Sequence, residues 1–262
     1  MDNELLKIIS KYVSSDFFSF EENKQRLYIN FAFHSNAIEG NTLTIEETEN
    51  IFTINRFSEK KTIKDNLEIY DYKNAINFII EQSIILAKIN EDFVKSLNSN
   101  ILRNTGSIIK TILGVVDSSK GEYRFSSVFA GNTVFPDAKK VDSLMKSFFS
   151  NYEQIDNLSN IDAINKAADI HFDFVSIHPF YDGNGRTARL LMNYIMQINN
   201  LPFIILKKED KIEYFSVLKK TRESKDINIF RSFIKKQYHK QLYEELKTIK
   251  KQENKKNLFL SF

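Results

Sequence analysis

Glycine and proline are scarce in this chain, with seven glycines and three prolines among 262 residues. These two residues are the strongest local signals for turns, so most of the chain has little reason to interrupt a helix. Apolar residues recur every three or four positions in segments 67–84, 163–177 and 188–198, which is the spacing of one buried helix face. The sequence therefore predicts a mainly α protein with these segments as core helices.

One region departs from the helical pattern. Residues 121–138 are rich in Val and Phe, with Gly131 and Asn132 between two apolar arms and Pro136 near the end. A Gly-Asn pair in this position favours a tight reversal of the chain. We expect a short β-hairpin here and helices elsewhere.

Composition limits the class of protein and its location. A chain with 42% hydrophobic residues can bury a full core, and a net charge of +3 gives no whole-surface attraction to nucleic acid. The absence of cysteine excludes disulfides and thiolate metal sites. The N-terminus does not have the pattern of a secretory signal, and no apolar run is long enough to span a bilayer. We therefore expect a cytoplasmic protein that does not bind a membrane.

No internal repeat and no linker rich in Ser, Pro or Gly divides the chain, which favours one compact domain. Within it we distinguish an N-terminal helical region (1–55), a core (56–233) and a C-terminal Lys-rich helical extension (234–262). An apolar stripe runs along that extension on its Lys-rich background. It consists of Ile234, Tyr238, Leu242, Leu246 and Ile249.

The segment HPFYDGNGRTAR, which begins at His178, concentrates one of the prolines and two of the glycines. Pro179 disfavours helix at His178, so a helix is expected to end there and a loop to follow. Gly183 and Gly185 permit backbone angles that other residues resist, and an apolar helix resumes after Arg186. This pattern predicts a nest of backbone N–H groups at a helix N-terminus, where anions such as phosphate bind.

Two arginines in this segment point to the same kind of ligand. Arg186 and Arg189 lie three apart in the first helical turn, where the helix dipole and their mutual repulsion both disfavour positive charge. Two forked guanidinium groups that face a polyphosphate would remove the repulsion. Asp182 lies beside them, which makes sense if Mg²⁺ joins its carboxylate to the phosphates. The residues therefore predict a site for a magnesium-bound polyphosphate.

The same segment resembles the Fic motif, HxFx(D/E)GNGRxxR, at each of its eight fixed positions. Three other stretches are similar to Fic proteins: HFDFVSI before the motif, GEYR at the start of the expected hairpin, and SNAIEGN near the N-terminus. The resemblance covers roughly residues 30–233. It implies an all-α Fic fold with a β-hairpin flap, and transfer of AMP from Mg-ATP to a Ser, Thr or Tyr hydroxyl of a target protein.

Carried over by position, the resemblance gives each motif residue a role. His178 would be the general base that takes the hydroxyl proton, and Asp182 would hold Mg²⁺. Arg186 would bind the β-phosphate and Arg189 the γ-phosphate. The other phosphate contacts would come from Gly183, Asn184 and Gly185. Relatives that resemble Doc and transfer phosphate carry Lys in place of this last glycine, so the resemblance favours nucleotidyl transfer.

The resemblance also implies two sites outside the motif. The edge of the flap, at Val128, Phe129 and Ala130, would hold a target segment by backbone pairing and so align its hydroxyl with the base. Tyr214 lies where related proteins place a Tyr in the adenine pocket. Thr221 departs from the family pattern, since Asn is expected there as the partner of that Tyr.

The stretch SNAIEG, residues 35–40, resembles the inhibitory motif of the family, (S/T)xxxE(G/N). Ser35 and Glu39 are four apart and share one helix face, where the hydroxyl could orient the carboxylate. Gly40 suits the C-cap of this helix, and Thr44 suits a capping box at the start of the next. By resemblance, Glu39 pairs with Arg189 and denies it to the γ-phosphate. An enzyme inhibited by its own chain is therefore expected.

Two other functions stay open at this point. Some inhibited Fic enzymes also remove AMP, with the same glutamate orienting a water, and both reactions need His178, Asp182 and Glu39. The other is a non-catalytic nucleotide- or DNA-binding regulator that uses the basic residues 235–256. No helix-turn-helix follows the Fic-like region, which disfavours DNA. The target protein, modification of the chain itself and formation of a homo-oligomer are also left open.

Overall fold

The computed structural model describes residues 2–15, 20–130 and 133–260, and in this part of the chain helices dominate as predicted. The helices are α1 (Asp2–Val13), α2 (Glu21–Glu39), α3 (Ile45–Ile54), α4 (Ile63–Ile84), α5 (Glu91–Ile101), α6 (Val141–Asn151), α7 (Asn160–Ile177), α8 (Asn184–Ile198), α9 (Lys211–Ser224) and α10 (Ile227–Leu260). The strands are β1 (Ile108–Thr111), β2 (Gly114–Asp117), β3 (Phe129–Ala130) and β4 (Thr133–Val134).

The expected hairpin is present, and a second one was not expected. β3 pairs antiparallel with β4, although the two residues between them lie outside the described residues. β1 and β2 form another antiparallel pair, with Ile112 and Leu113 at the turn between Thr111 and Gly114. The prediction of a single strand-like region was therefore wrong. The stretch that forms β1 and β2 carries only one glycine at its turn, a weak signal for a hairpin.

The core is centred on α8, which packs against α7 and also contacts α2, α4 and α5. A helix that is buried on all sides has to be apolar all round, and most of α8 is. Its buried apolar residues are Ala188, Leu190, Leu191, Met192, Tyr194, Ile195 and Met196. The N-terminal end of this central helix therefore has a fixed position relative to the elements around it.

Helix caps set the turn between α2 and α3. Gly40 follows the last residue of α2 and has a φ of 107°, which a residue with a side chain adopts only with strain. At the start of α3, the Glu47 backbone N donates to the Thr44 hydroxyl at 3.2 Å, and the Thr44 backbone N donates to the Glu47 carboxylate at 2.8 Å. Both capping predictions are confirmed, and together they fix the residue that ends α2, Glu39.

The C-terminal stripe belongs to the core of the described chain. α10 runs without a break through position 234, and α1 packs on it together with α7 and α9. Tyr238 and Leu242 are fully buried, and the Tyr238 hydroxyl donates to the backbone O of Pro202 at 3.1 Å. A division between core and extension at 234 would therefore cut a continuous helix. Among the described residues, no helix has the length and apolarity needed to cross a membrane.

Alanine at Gly121 should destabilise the fold more than alanine at Gly40. Both glycines have positive φ, 66° and 107°, so either substitution carries backbone strain of about 1–2 kcal/mol. A methyl carbon on Gly121 would also lie 2.1 Å from the backbone O of Lys95 in α5, whereas one on Gly40 meets nothing within 4 Å. Urea unfolding followed by circular dichroism should therefore show a further loss of about 1–3 kcal/mol for Gly121→Ala. Equal losses would contradict this packing.

Candidate active site

α7 ends where the sequence predicts. His178 is the C-cap residue, in the left-handed region at φ 54° and ψ 60°, and its backbone N donates to the O of Phe174 at 2.9 Å. The loop that follows is anchored by Phe180, which is 1% exposed. Asn184 holds this anchor in place: its side-chain amide donates to the Phe180 O at 2.9 Å and accepts from the Phe180 N at 3.0 Å. The predicted phosphate contact of Asn184 is therefore left to its backbone N–H.

α8 begins earlier than the sequence indicated, at Asn184 instead of after Arg186. Gly183 is its N-cap residue with a φ of 78°. The first helical hydrogen bond of α8 runs from the Thr187 N to the Gly183 O at 2.8 Å, so the backbone N–H groups before Thr187 have no partner within the helix. The predicted N–H nest is thus present at the positive end of α8.

Gly185 is needed for space and not for its backbone angle, which corrects the prediction made for it. It lies inside α8 without a positive φ. A methyl carbon at this position would lie 2.5 Å from the Oε1 of Glu39 and 3.2 Å from the Nη1 of Arg189. The carboxylate of Glu39 therefore lies directly over the first turn of α8.

Glu39 and Arg189 form the ion pair that the family motif implies. The Nη2 of Arg189 donates to the Oε1 of Glu39 at 2.7 Å, with the Arg189 side chain 1% exposed and the Glu39 side chain 38% exposed. Burial alone would raise the pKa of Glu39, but the Arg189 guanidinium beside it keeps that pKa below its ordinary value. The carboxylate is therefore ionised at neutral pH and partly neutralises the end of α8.

Ser35 has a different role from the one predicted. No hydrogen bond joins its hydroxyl to the carboxylate of Glu39. Its hydroxyl accepts from the Nε of Arg189 at 2.8 Å and shares a hydrogen bond of 2.7 Å with the Tyr72 hydroxyl, while its backbone O accepts from the Nη2 of Arg189 at 2.9 Å. Ser35 therefore orients the arginine of the pair, because Arg189 lies between the serine and the carboxylate. Tyr72, on α4, was missed by the sequence reasoning and had no motif to mark it.

Asp182 lies in the loop directly before the N-cap residue of α8. Its side chain is 57% exposed, and its Oδ1 is 3.4 Å from the Nη2 of Arg186, whose side chain is 5% exposed. Asn98 of α5 donates to the backbone O of Asp182 at 3.1 Å and to the Thr187 hydroxyl at 3.2 Å. It therefore connects α5 to the loop before α8 and to α8 itself. Sequence reasoning missed Asn98, since nothing near it in the chain connects it to the motif.

The donor set suits a metal that is shared with phosphates. The described residues contain no group of three or more His, Asp or Glu side chains that could hold a metal ion. Mg²⁺ keeps several waters and commonly takes one or two carboxylates plus substrate phosphates. A single exposed carboxylate beside an anion-binding helix end matches that requirement, so Asp182 fits the predicted metal role.

The imidazole of His178 is covered by an aromatic ring that sequence reasoning missed. Phe135, from the arm that follows β4, stacks on it with ring centres 3.8 Å apart and planes 20° apart. Burial lowers the pKa of His178 to about 4, although a hydrogen bond with the backbone of Val175 works in the opposite direction. The imidazole is therefore neutral at pH 7, which is the form that can accept a proton.

Tyr214 lies deeper in the molecule than an adenine pocket would suggest. It is 2% exposed, and its hydroxyl shares a hydrogen bond of 3.0 Å with the Nε2 of His171. Burial raises the pKa of Tyr214 to about 12, so the hydroxyl stays protonated beside Arg189. Thr221 turns inward as well and donates to the backbone O of Val217 at 2.8 Å. The contact of Tyr214 with adenine stays a prediction.

The flap presents a free edge. β3 pairs only with β4 in the part of the chain that the structure describes, which leaves its other side without a strand partner. Phe129 is 70% exposed, Val128 is half-buried, and Ala130 pairs through its backbone with Thr133. Such an edge can add a peptide strand, but docking of a target there stays a prediction.

Removing the ring of Phe135 should raise the pKa of His178. Burial is the main cause of its low value of about 4, so Phe135→Ala should move it toward the ordinary histidine value of about 6.5. An NMR titration of the histidine side chains measures the change. His171 serves as the internal control, because its pKa of about 3 results from burial in the core, away from the flap.

The same substitution should change the pH dependence of stability. A histidine whose pKa is lower in the folded state takes up protons on unfolding, so stability falls as the pH drops from about 7 toward 4. Phe135→Ala should lose less stability over this range than the wild type. An unchanged His178 pKa in the folded variant would contradict the covering role of Phe135.

Comparison with known proteins agrees with this geometry. Residues 88–196 match the model of the Fic/DOC family. The chain is 32% identical over 212 residues to the protein adenylyltransferase Fic of Drosophila persimilis, a match that covers 80% of this chain and 39% of that relative. The chain thus spans about two fifths of the length of this curated relative.

Solved structures show the same fold. A Fic domain containing signaling protein from Bacteroides thetaiotaomicron aligns with a TM-score of 0.76 at 23% identity, over 92% of this chain and 94% of that one. A Fic family protein from Desulfovibrio desulfuricans aligns with a TM-score of 0.75 at 22% identity, over 94% and 73%. With the complete motif at the end of α7 and the start of α8, residues 88–196 of this chain are a domain of the Fic/DOC family.

Proposed function

We propose that the protein transfers AMP from Mg-ATP to a Ser, Thr or Tyr hydroxyl of a target protein. The observation that carries this proposal is the positive end of α8, where the buried Arg186 and Arg189 join the backbone N–H groups of residues 184–186, which have no acceptor within the helix. The Nε of Arg186 is buried without an acceptor among the described residues, a cost that a bound phosphate would remove. The adenylyltransferase named among the relatives supports the choice of AMP transfer over phosphate transfer.

His178 supplies the proton acceptor for this reaction. The hydroxyl oxygen of the target forms a bond to the α-phosphorus, the bond from that phosphorus to pyrophosphate breaks, and the hydroxyl proton moves to the imidazole. Because burial keeps His178 neutral, it is ready to accept the proton at pH 7. Anionic phosphates bound nearby would raise its pKa and so strengthen it as a base.

Asp182, Arg186 and Arg189 would position the phosphates. The exposed carboxylate of Asp182 would hold Mg²⁺, which when bound supplies charge neutralisation on the phosphate oxygens. The N–H groups of α8 and the two guanidinium groups hold the triphosphate in line with the base. Most of the rate would come from such positioning and charge stabilisation, which are prearranged in the fold.

The same geometry supports inhibition by Glu39. Its carboxylate is an anion that already occupies the anion-binding end of α8, 2.7 Å from Arg189 and directly over Gly185. A γ-phosphate at Arg189 would have to displace it. The wild-type chain is therefore held in a weakly active state, and removal of the carboxylate releases it.

A second activity is favoured by one feature of Glu39. Only its Oε1 is bonded to Arg189, and its Oε2 accepts no hydrogen bond from the described residues, although the side chain is 38% exposed. A carboxylate oxygen in this position can orient a water toward an AMP-modified target, with His178 nearby. Removal of AMP is therefore the alternative reaction of the same site. A cytoplasmic location and self-modification stay predictions, and the oligomeric state stays open.

The transfer can be tested with ATP labelled on either the α- or the γ-phosphate. We expect Glu39→Gly to move α-label onto proteins of a cell lysate, or onto itself, at least about tenfold faster than the wild type. The double variant with His178→Ala should move none, because the base is missing.

The labelling position is the control for reaction type. Label from the γ-phosphate should stay in solution, and an intact-mass measurement should find an AMP-sized increase on any modified chain. Transfer of γ-label would instead indicate a kinase-like reaction. No transfer by Glu39→Gly in either labelling experiment would contradict the proposed function.

A further inference from the structure

Arg124 is a buried cation whose side chain donates its hydrogen bonds to backbone carbonyl groups. It lies between β2 and β3 in the chain and is 2% exposed. Its backbone N donates to the O of Pro179 at 2.8 Å, which brings it against the loop after α7. A buried guanidinium needs strong compensation, and here all of its hydrogen bonds go to backbone carbonyl groups, with a further favourable charge interaction from Asp137.

These carbonyl groups belong to two different parts of the site. At the end of α7, the Nε of Arg124 donates to the His178 O at 2.7 Å and its Nη2 to the Ile177 O at 3.4 Å. On the flap, its Nη1 donates to the Ser126 O at 3.1 Å and its Nη2 to the Pro136 O at 2.6 Å. One side chain therefore ties both arms of the flap to the helix end that carries the base.

The contacts at α7 have a clear electrostatic reason. The last carbonyl groups of a helix lack partners within it and carry the negative end of its dipole, so a cation is favourable there. A helix cap, however, needs only those carbonyl groups. The two hydrogen bonds to Ser126 and Pro136 add a connection to the flap that a cap does not require.

The flap contact lies next to the ring that covers the base. Pro136 follows Phe135 directly, and Phe135 stacks on His178 at 3.8 Å. Arg124 thus fixes the backbone of His178 on one side and the backbone beside its covering ring on the other. If it were lost, the ring and the imidazole could move independently.

We propose that Arg124 is a positioning residue, which clamps the flap onto the turn at His178 and so holds the imidazole and the Phe135 ring in one arrangement. Its consequence for catalysis rests on the proposed function, whereas its consequence for the arrangement of the two rings does not. Lysine cannot replace it, because a single ammonium group lacks the planar fork that reaches four carbonyl groups at once.

The first test measures the arrangement of the rings without any reaction. In the folded wild type, NMR should detect contacts between the ring protons of Phe135 and His178. Arg124→Lys and Arg124→Gln should both lose them. In Arg124→Lys the positive charge is kept, so a rise in the pKa of His178 would report that the imidazole has become exposed.

Arg231→Gln is the matched control. Arg231 also binds α7, through two hydrogen bonds of 2.7 and 2.6 Å to the carboxylate of Asp169, but it contacts neither the flap nor the turn at His178. This variant should keep the ring contacts and the pKa of His178 even if it loses stability. Ring contacts that persist in Arg124→Lys would overturn the proposal.

The second test measures transfer in the Glu39→Gly background. We expect Arg124→Gln to lower kcat by roughly 100-fold, the scale of a small misplacement of a catalytic group, and Arg124→Lys to lower it by about tenfold. The KM for Mg-ATP should change by less than about threefold, since the groups on α8 are untouched. Should the Gln variant fail to fold, the Lys variant decides.

The two tests separate the two proposals. An unchanged kcat in a folded Arg124→Lys would show that Arg124 is only a structural cap. If Glu39→Gly itself transfers nothing, the proposed function fails, and the NMR contacts alone then decide the role of Arg124.

Discussion

The arrangement of the site and its proposed inhibition both depend on the ion pair between Glu39 and Arg189. Two helix ends of opposite polarity meet there, the negative end of α2 and the positive end of α8. Gly40 turns the chain away directly after Glu39, and Gly185 leaves room for the carboxylate over the first turn of α8. The ion pair therefore compensates the charges of both helix ends, and it places the Glu39 carboxylate where a phosphate would bind.

Buried groups of the core hold Arg189 in its place in the ion pair. Ser35 holds Arg189 through its hydroxyl and its backbone O, and Tyr72 of α4 holds Ser35 in turn. The Tyr72 hydroxyl also donates to the backbone O of Arg186 at 3.4 Å, so it bridges α2 and α8. Because these groups are buried, moving Arg189 would leave several donors without acceptors, which makes its position costly to change. The part that can give way is the half-exposed side chain of Glu39.

The features that the sequence predicted correctly are local ones. The end of α7 at His178 follows from Pro179, and the N–H nest follows from Gly183 at the start of an apolar helix. The pair of Glu39 with Arg189 is a long-range contact, and only the resemblance to the family made it predictable. Composition and spacing alone would have left α2 as an ordinary helix ending.

The features that were missed depend on tertiary packing. Phe135 and Asn98 each contact the motif from a distant part of the chain, and no spacing rule connects them to it. Arg124 lies in the GEYR stretch that resembles Fic proteins, but its contact with the end of α7 was not predicted. The role of Ser35 was wrong for a related reason: helix spacing places it near Glu39, but the inserted guanidinium of Arg189 takes its hydrogen bonds. A sequence pattern predicts which face of a helix is buried. Which side chains from other elements pack against that face is known only from the fold.

Calorimetric titration with Mg-ATP and Mg-ADP, on the wild type and on Glu39→Gly, is the most direct test of the conflict between Glu39 and the γ-phosphate. ADP lacks the phosphate that would bind Arg189, so its affinity should be nearly the same in both proteins. ATP should bind more tightly once the carboxylate is removed, and the ratio of ATP to ADP affinity should rise by about tenfold. An equal change for both nucleotides, or no change for either, would contradict the claim that Glu39 and the γ-phosphate compete for Arg189.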